Sequence, residues 1–165
     1  VLLAHNPRCS YEDAVDIQNP SELDFKKVLE SGMRRSFKIL SDAKKNVVVV
    51  LDGPTLPFDP SACIERPFRI TEKNDHCSFQ RTVFDQDTVN SAYNEIVQRV
   101  AKDFTNVQII DLSSQLCDSE KCYAAKGGKV LYNDRNHLSM YGSQFIAPYI
   151  LKSLLHEKNE RTTQL

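Results

Sequence analysis

The sequence predicts an α/β fold, a three-layer α/β/α sandwich on a parallel sheet, and three observations predict it. Val47-Val48-Val49-Val50-Leu51 places five apolar residues in a row, four of them β-branched, which suits a strand covered on both faces. Leu23, Phe25, Val28, Leu29, Met33, Phe37 and Leu40, and later Val89, Tyr93, Ile96, Val97 and Val100, recur at helical spacing. Strand and helix patterns alternate along the chain, as parallel strands joined by crossover helices require.

Val1-Leu2-Leu3-Ala4 reads as a buried strand already in progress, with no Met, polar lead-in or cap before it. The expectation is a piece of a longer protein whose N-terminal strands lie upstream. After a polar stretch holding Pro7 and Pro20, Ser21 is the expected N-cap of the first helix, with Asp24 at N3 and an end near Lys45. The 47–51 strand follows. From Asp52 to about Thr82 come Gly53, four prolines and two cysteines without strong periodicity, and a loop of that length is uncommon unless functional or cross-linked. A second helix is expected from about Phe84 to Phe104, and a third strand over 107–112. A cysteine-bearing loop then leads through Gly127-Gly128 to Val130-Leu131-Tyr132. The final helix follows Ser139, whose hydroxyl is read as its cap rather than as a nucleophile. Residues 1–155 are expected to form one domain and 156–165 a polar tail that frays. Three strands are few for this architecture, which again points to strands upstream.

Composition narrows the function classes. Of 165 residues, 41% are hydrophobic and 26% charged, ordinary for a folded domain and unlike a disordered one. Twenty-one Lys and Arg oppose 22 Asp and Glu for a net charge of -1, which argues against a nucleic-acid partner because no basic field is available to displace counterions. No apolar run approaches the roughly 20 residues that span a bilayer, and no basic segment followed by an apolar one opens the chain.

Five cysteines are many for a domain of this size. Cys63, Cys77, Cys117 and Cys122 sit in polar, turn-rich stretches, whereas buried structural thiols favour apolar runs. This suggests loop-stapling disulfides and an oxidising compartment. The favoured pairing is Cys63 with Cys77 and Cys117 with Cys122, stabilising by about 3 and about 2 kcal/mol through chain entropy. Cys9 is left over, its expected partner lying in the missing segment. A zinc site that includes His76 is the rival, although no C-x-x-C pair is present. No metal or cofactor is expected.

The strongest chemical signal is Tyr132-Asn133-Asp134-Arg135-Asn136-His137-Leu138-Ser139, just before the last helix. An Asp three residues before a His can accept a hydrogen bond from the imidazole. It thereby fixes the tautomer and steadies the imidazolium formed when the other nitrogen takes a proton from a nucleophile. The same spacing also occurs in plain surface turns. His5 and His76 read as surface or loop histidines.

The ordered string Asp111-Leu112, Cys117 to Cys122, Gly128-Lys129-Val130-Leu131-Tyr132-Asn133-Asp134, His137-Leu138-Ser139 and Tyr141-Gly142-Ser143 resembles the C-terminal part of Ser-Gly-Asn-His (SGNH) esterases. The specific likeness is to those fused to integral-membrane acyltransferases that O-acylate cell-surface glycans. Val47 to Pro57, a strand running into Gly53-Pro54-Thr55-Leu56-Pro57, and the Cys63 to Cys77 loop fit as well. The resemblance covers about 47–155 and, more weakly, 1–8. It implies an SGNH-hydrolase (flavodoxin-like) sandwich in which His137 is the general base and Asp134 its orienting partner. The nucleophile should lie in a Gly-Asp-Ser block, which this chain lacks and which is therefore expected upstream. Asn6 stands where the superfamily places an oxyanion-hole Asn, without the usual glycine; otherwise it is a turn residue before Pro7. The implied partners are an acyl donor, a glycan acceptor and an integral-membrane acyltransferase domain on the same polypeptide. The implied setting is extracytoplasmic, periplasmic or cell-surface, with a membrane tether in the missing N-terminal region. Two alternatives come from other classes: a secreted carbohydrate esterase that removes acetyl groups, and a non-catalytic remnant that binds glycan or a membrane partner.

Overall fold

The computed structural model describes residues 1–4, 14–64 and 77–162. In chain order the elements are β1 (Leu2–Ala4), α1 (Phe25–Asp42), β2 (Val47–Leu51), a 3₁₀ turn (Pro60–Cys63), β3 (Ser78–Gln80), α2 (Arg81–Asp85), α3 (Thr88–Ala101), β4 (Val107–Asp111), α4 (Ser113–Leu116), β5 (Lys121–Tyr123), β6 (Ala125–Lys126), β7 (Lys129–Val130) and α5 (Met140–Thr162). They fall into two compact units, one made of Val1–Asp52 with Asp85–Asp111 and the other of Gly53–Phe84 with Leu112–Leu165. No helix among the described residues is long and apolar enough to cross a membrane.

The first unit holds the parallel sheet, ordered β1-β2-β4. Leu3 stands opposite Val49, and Val49 opposite Ile109. All five β2 residues are buried, so the unbroken β-branched run does mark a strand covered on both faces. Val47, Val49 and Leu51 meet Phe37 of α1 and Tyr93, Ile96, Val97 and Val100 of α3 in one core. Phe37 also stands edge-on to Phe104 with ring centroids 5.7 Å apart, a favoured aromatic geometry. The predicted α/β class with a parallel sheet therefore stands.

Three details differ from expectation. The first strand forms and pairs with β2, and among the described residues Val1 and Leu2 are 54% and 59% exposed where the apolar run suggested burial. Helix α1 begins three residues later than Ser21 would set it. Asp24 is the cap, its carboxylate accepting the Lys26 N–H at 2.9 Å, while the Ser21 hydroxyl bonds Asn19 instead. The chain leaves α1 at Ala43, and Lys44 takes a left-handed φ of 55°. The long second helix is two, because the Asp87 carboxylate accepts the Asn90 N–H and caps a fresh start at α3.

The second unit is built from short pieces. β3 pairs antiparallel with β5, and β6 with β7. The β6–β7 hairpin turns on Gly127 and Gly128, both at positive φ (58° and 74°), the backbone that a tight two-residue hairpin demands. Disulfides join Cys63 to Cys77 and Cys117 to Cys122. These four cysteines are thereby unavailable as thiolate ligands for the zinc alternative. Helix α5 continues past residue 155 to Thr162.

Candidate catalytic turn

Asp134 and His137 sit on the turn between β7 and α5, and local hydrogen bonding dictates its shape. The Asn133 N–H donates to the His137 carbonyl at 2.8 Å, and Tyr132 and Leu138 bridge antiparallel, which closes the loop on itself. Below it, the Ser139 hydroxyl donates to the Val130 carbonyl (2.7 Å) and accepts the Gly142 N–H (3.0 Å). Ser139 is thus occupied as a cap at the head of α5. Gly142 is required there, because a Cβ at this position would lie 1.9 Å from the Leu131 carbonyl oxygen.

Within the turn, both carboxylate oxygens of Asp134 are used. Oδ1 accepts the backbone N–H groups of Asn136 (3.0 Å) and His137 (2.8 Å), and Oδ2 lies 2.8 Å from His137 Nδ1. The two amide donors, Asn136 first, and then the imidazole hold the Asp134 carboxyl down at about 2, because each favours the charged form. With Nδ1 donating to this carboxylate, Nε2 is the nitrogen left to accept a proton. The His137 side chain is 70% exposed and Asp134 50%, so the imidazole is open to a reacting partner rather than sealed in apolar packing. This couple can orient a base and stabilise its protonated form.

The loop after β2 is tied to the turn at two points. The Leu56 N–H donates to the Arg135 carbonyl (2.7 Å), and the buried Tyr132 hydroxyl donates to the Pro54 carbonyl (3.0 Å). Nearby, the Asp59 carboxyl is held below its usual range, first by the Ser61 hydroxyl and amide and more weakly by the charge of Arg135. In sequence, the Asp134–His137 pair was singled out by the family resemblance, since its spacing alone also fits a plain surface turn. Sequence reasoning missed these ties, which join residues far apart in the chain; the only trace was that both segments belong to the recognised motif string.

The Cys117–Cys122 loop shows the same economy. Asp118 accepts the N–H groups of Glu120 and Lys121, both at 2.8 Å, and the Tyr123 hydroxyl. The Tyr123 contact is the largest cause of an Asp118 carboxyl held at about 2. Arg81 reaches the Asp118 carbonyl at 2.9 Å. Among the described residues no cluster of His, Cys, Asp and Glu is arranged to hold a metal ion. Asn6, His5, Cys9 and His76 lie outside the described residues.

A parallel α/β unit and an exposed Asp–His turn at the head of the last helix are two features that the resemblance to SGNH esterases implies. The sequence matches the family described as SGNH domain (fused to AT3 domains) over residues 4–152, and the chain belongs to that family. No curated protein sequence matches it significantly. Among solved structures, the periplasmic domain of a lipopolysaccharide acetyltransferase from Salmonella ser. Paratyphi A is similar at a TM-score of 0.65 and 16% identity, with 94% of this chain and 56% of that one covered. A Streptococcus pneumonia protein described as a platelet activating factor aligns at a TM-score of 0.46 and 13% identity, covering 90% and 57%. The chain thus spans a little over half the length of these neighbours.

Proposed function

We propose that this chain is the C-terminal portion, over residues 1–155, of an extracytoplasmic SGNH-type domain that moves an acyl group to a cell-surface glycan. In this reading His137 is the base, Asp134 orients it, and the nucleophilic serine comes from a Gly-Asp-Ser block upstream of Val1. His137 Nε2 takes the serine proton as Oγ attacks the acyl carbonyl carbon. The tetrahedral intermediate collapses, the donor's leaving group departs with that proton, and an acyl-serine remains. A glycan hydroxyl then gives its proton to Nε2 and attacks the acyl-serine, and His137 returns the proton to the serine oxygen. Oxyanion donors would each contribute about 3 kcal/mol of barrier lowering, and Asn6 is proposed as one of them. An integral-membrane acyltransferase domain on the same polypeptide would supply the acyl group and tether the domain at the membrane.

The observation that carries this reading is the 2.8 Å contact between His137 Nδ1 and Asp134 Oδ2 beside an open imidazole ring. Support also comes from membership in a family described by its fusion to AT3 domains, and from a structural neighbour that is a periplasmic acetyltransferase domain. The two disulfides fit an oxidising compartment. In the full-length protein, His137→Ala should lower turnover of a chromogenic acetate by at least about a thousandfold with little change in melting temperature. Preserved turnover would remove His137 from the mechanism.

A further inference from the structure

We infer that Tyr132 is a positioning residue for His137, acting through a closed ring of contacts between the Gly53–Pro57 loop and the Asp134–His137 turn. The inference rests on the reading of His137 as the catalytic base. Tyr132 is 4% exposed, and its hydroxyl donates to the Pro54 carbonyl in a buried contact at 3.0 Å. Two residues along that loop, the Leu56 N–H returns to the Arg135 carbonyl at 2.7 Å. Tyr132 and Arg135 flank Asp134, so the loop grips the turn on both sides of the carboxylate that aims the imidazole. At residue 53 a Cβ would stand 2.9 Å from the end of the Leu116 side chain and in ordinary contact, 3.8 Å, with the Tyr132 hydroxyl.

Turn-internal bonds set the distance from Asp134 to His137. The outer ring sets where the whole turn stands relative to the loop and so where Nε2 points. The orientation of a base within hydrogen-bond reach governs proton transfer far more than it governs ground-state binding. The Tyr132 hydroxyl should accordingly be felt in kcat rather than in KM.

The test compares full-length wild type, Tyr132→Phe and His137→Ala on a chromogenic acetate, with hydrogen exchange of the same proteins read by mass spectrometry. Tyr132→Phe should lower kcat by about tenfold with KM within about twofold, and should speed exchange of the Leu56 amide while the amides of β2 stay protected. A merely structural role would leave kcat of the folded fraction unchanged, and that result, with His137→Ala inactive, overturns the inference alone. An active His137→Ala overturns the underlying reading. Should Tyr132→Phe fail to accumulate, 3,5-difluorotyrosine at residue 132 keeps the ring and makes the hydroxyl that donates to the Pro54 carbonyl a stronger donor. kcat should shift while KM holds, and an unchanged kcat would again refute the role.

Discussion

The parallel-sheet unit and the unit that carries His137 combine burial with directional and covalent links in different proportions. In the first, stability comes from non-directional burial: a fully covered β2, the Phe37–Phe104 ring pair and α3 residues sealed against the sheet. Its charged contacts lie largely on the surface, as in the Glu30, Arg34, Arg99 and Asp103 network between α1 and α3, and such pairs contribute little. In the second unit the strands are two or three residues long. Beside buried Leu56, Leu116, Leu131 and Ile146, two disulfides and a set of side-chain-to-backbone hydrogen bonds from Asp118, Asp134, Ser139 and Tyr132 fix the chain. Burial tolerates small errors in angle, whereas hydrogen bonds are directional. The directional kind is concentrated around the His137 imidazole.

That contrast can be broken from either side. Phe37→Ala should cost about 3–5 kcal/mol by removing a buried ring from the sheet core, read by denaturant unfolding; a loss under about 1 kcal/mol would mean that burial does not dominate there. Gly142→Ala drives a methyl into the Leu131 carbonyl and should cost about 3 kcal/mol. Its faster hydrogen exchange should be confined to the turn and the start of α5, and equal loosening of β2 would erase the distinction between the units. Replacing Cys117 and Cys122 together by Ser should cost about 2 kcal/mol through the short loop and leave the protection of the sheet amides intact.

The smallest effect is in acid. The Asp134 and Asp118 carboxyls are held at about 2, below their ordinary value near 3.9, so each adds stability that is complete above that ordinary value and is lost as pH falls through about 2. Amide spectra recorded from pH 5 to pH 2 should show Asn136, His137, Glu120 and Lys121 shifting together while β2 and β4 amides hold. Simultaneous loss of all signals would contradict the local account.

The sheet unit was the more legible in sequence because its determinants are periodic. Val47 to Leu51 and the α3 stripe announce themselves within a few residues. Element ends were less legible. Ser21 and Asp24 are both acceptable caps, and the choice falls to Asp24 because its own N–H is taken by Glu22 while its carboxylate takes the Lys26 N–H. The break at Asp87 was hidden inside a continuous helical pattern. In the site, Asp134 and His137 are neighbours at i and i+3 and so could be read together. The ties from Tyr132 to Pro54 and from Leu56 to Arg135 could not, because nothing local to either segment encodes a partner nearly 80 residues away.

The claim that Asp134 and His137 activate a serine outside this chain is tested most directly by labelling the full-length protein with a fluorophosphonate and locating the modified residue by mass spectrometry. The account predicts one modified serine, in a Gly-Asp-Ser block upstream of Val1, with labelling lost in His137→Ala. Labelling of Ser139, or of any serine at an undiminished rate in His137→Ala, would contradict it.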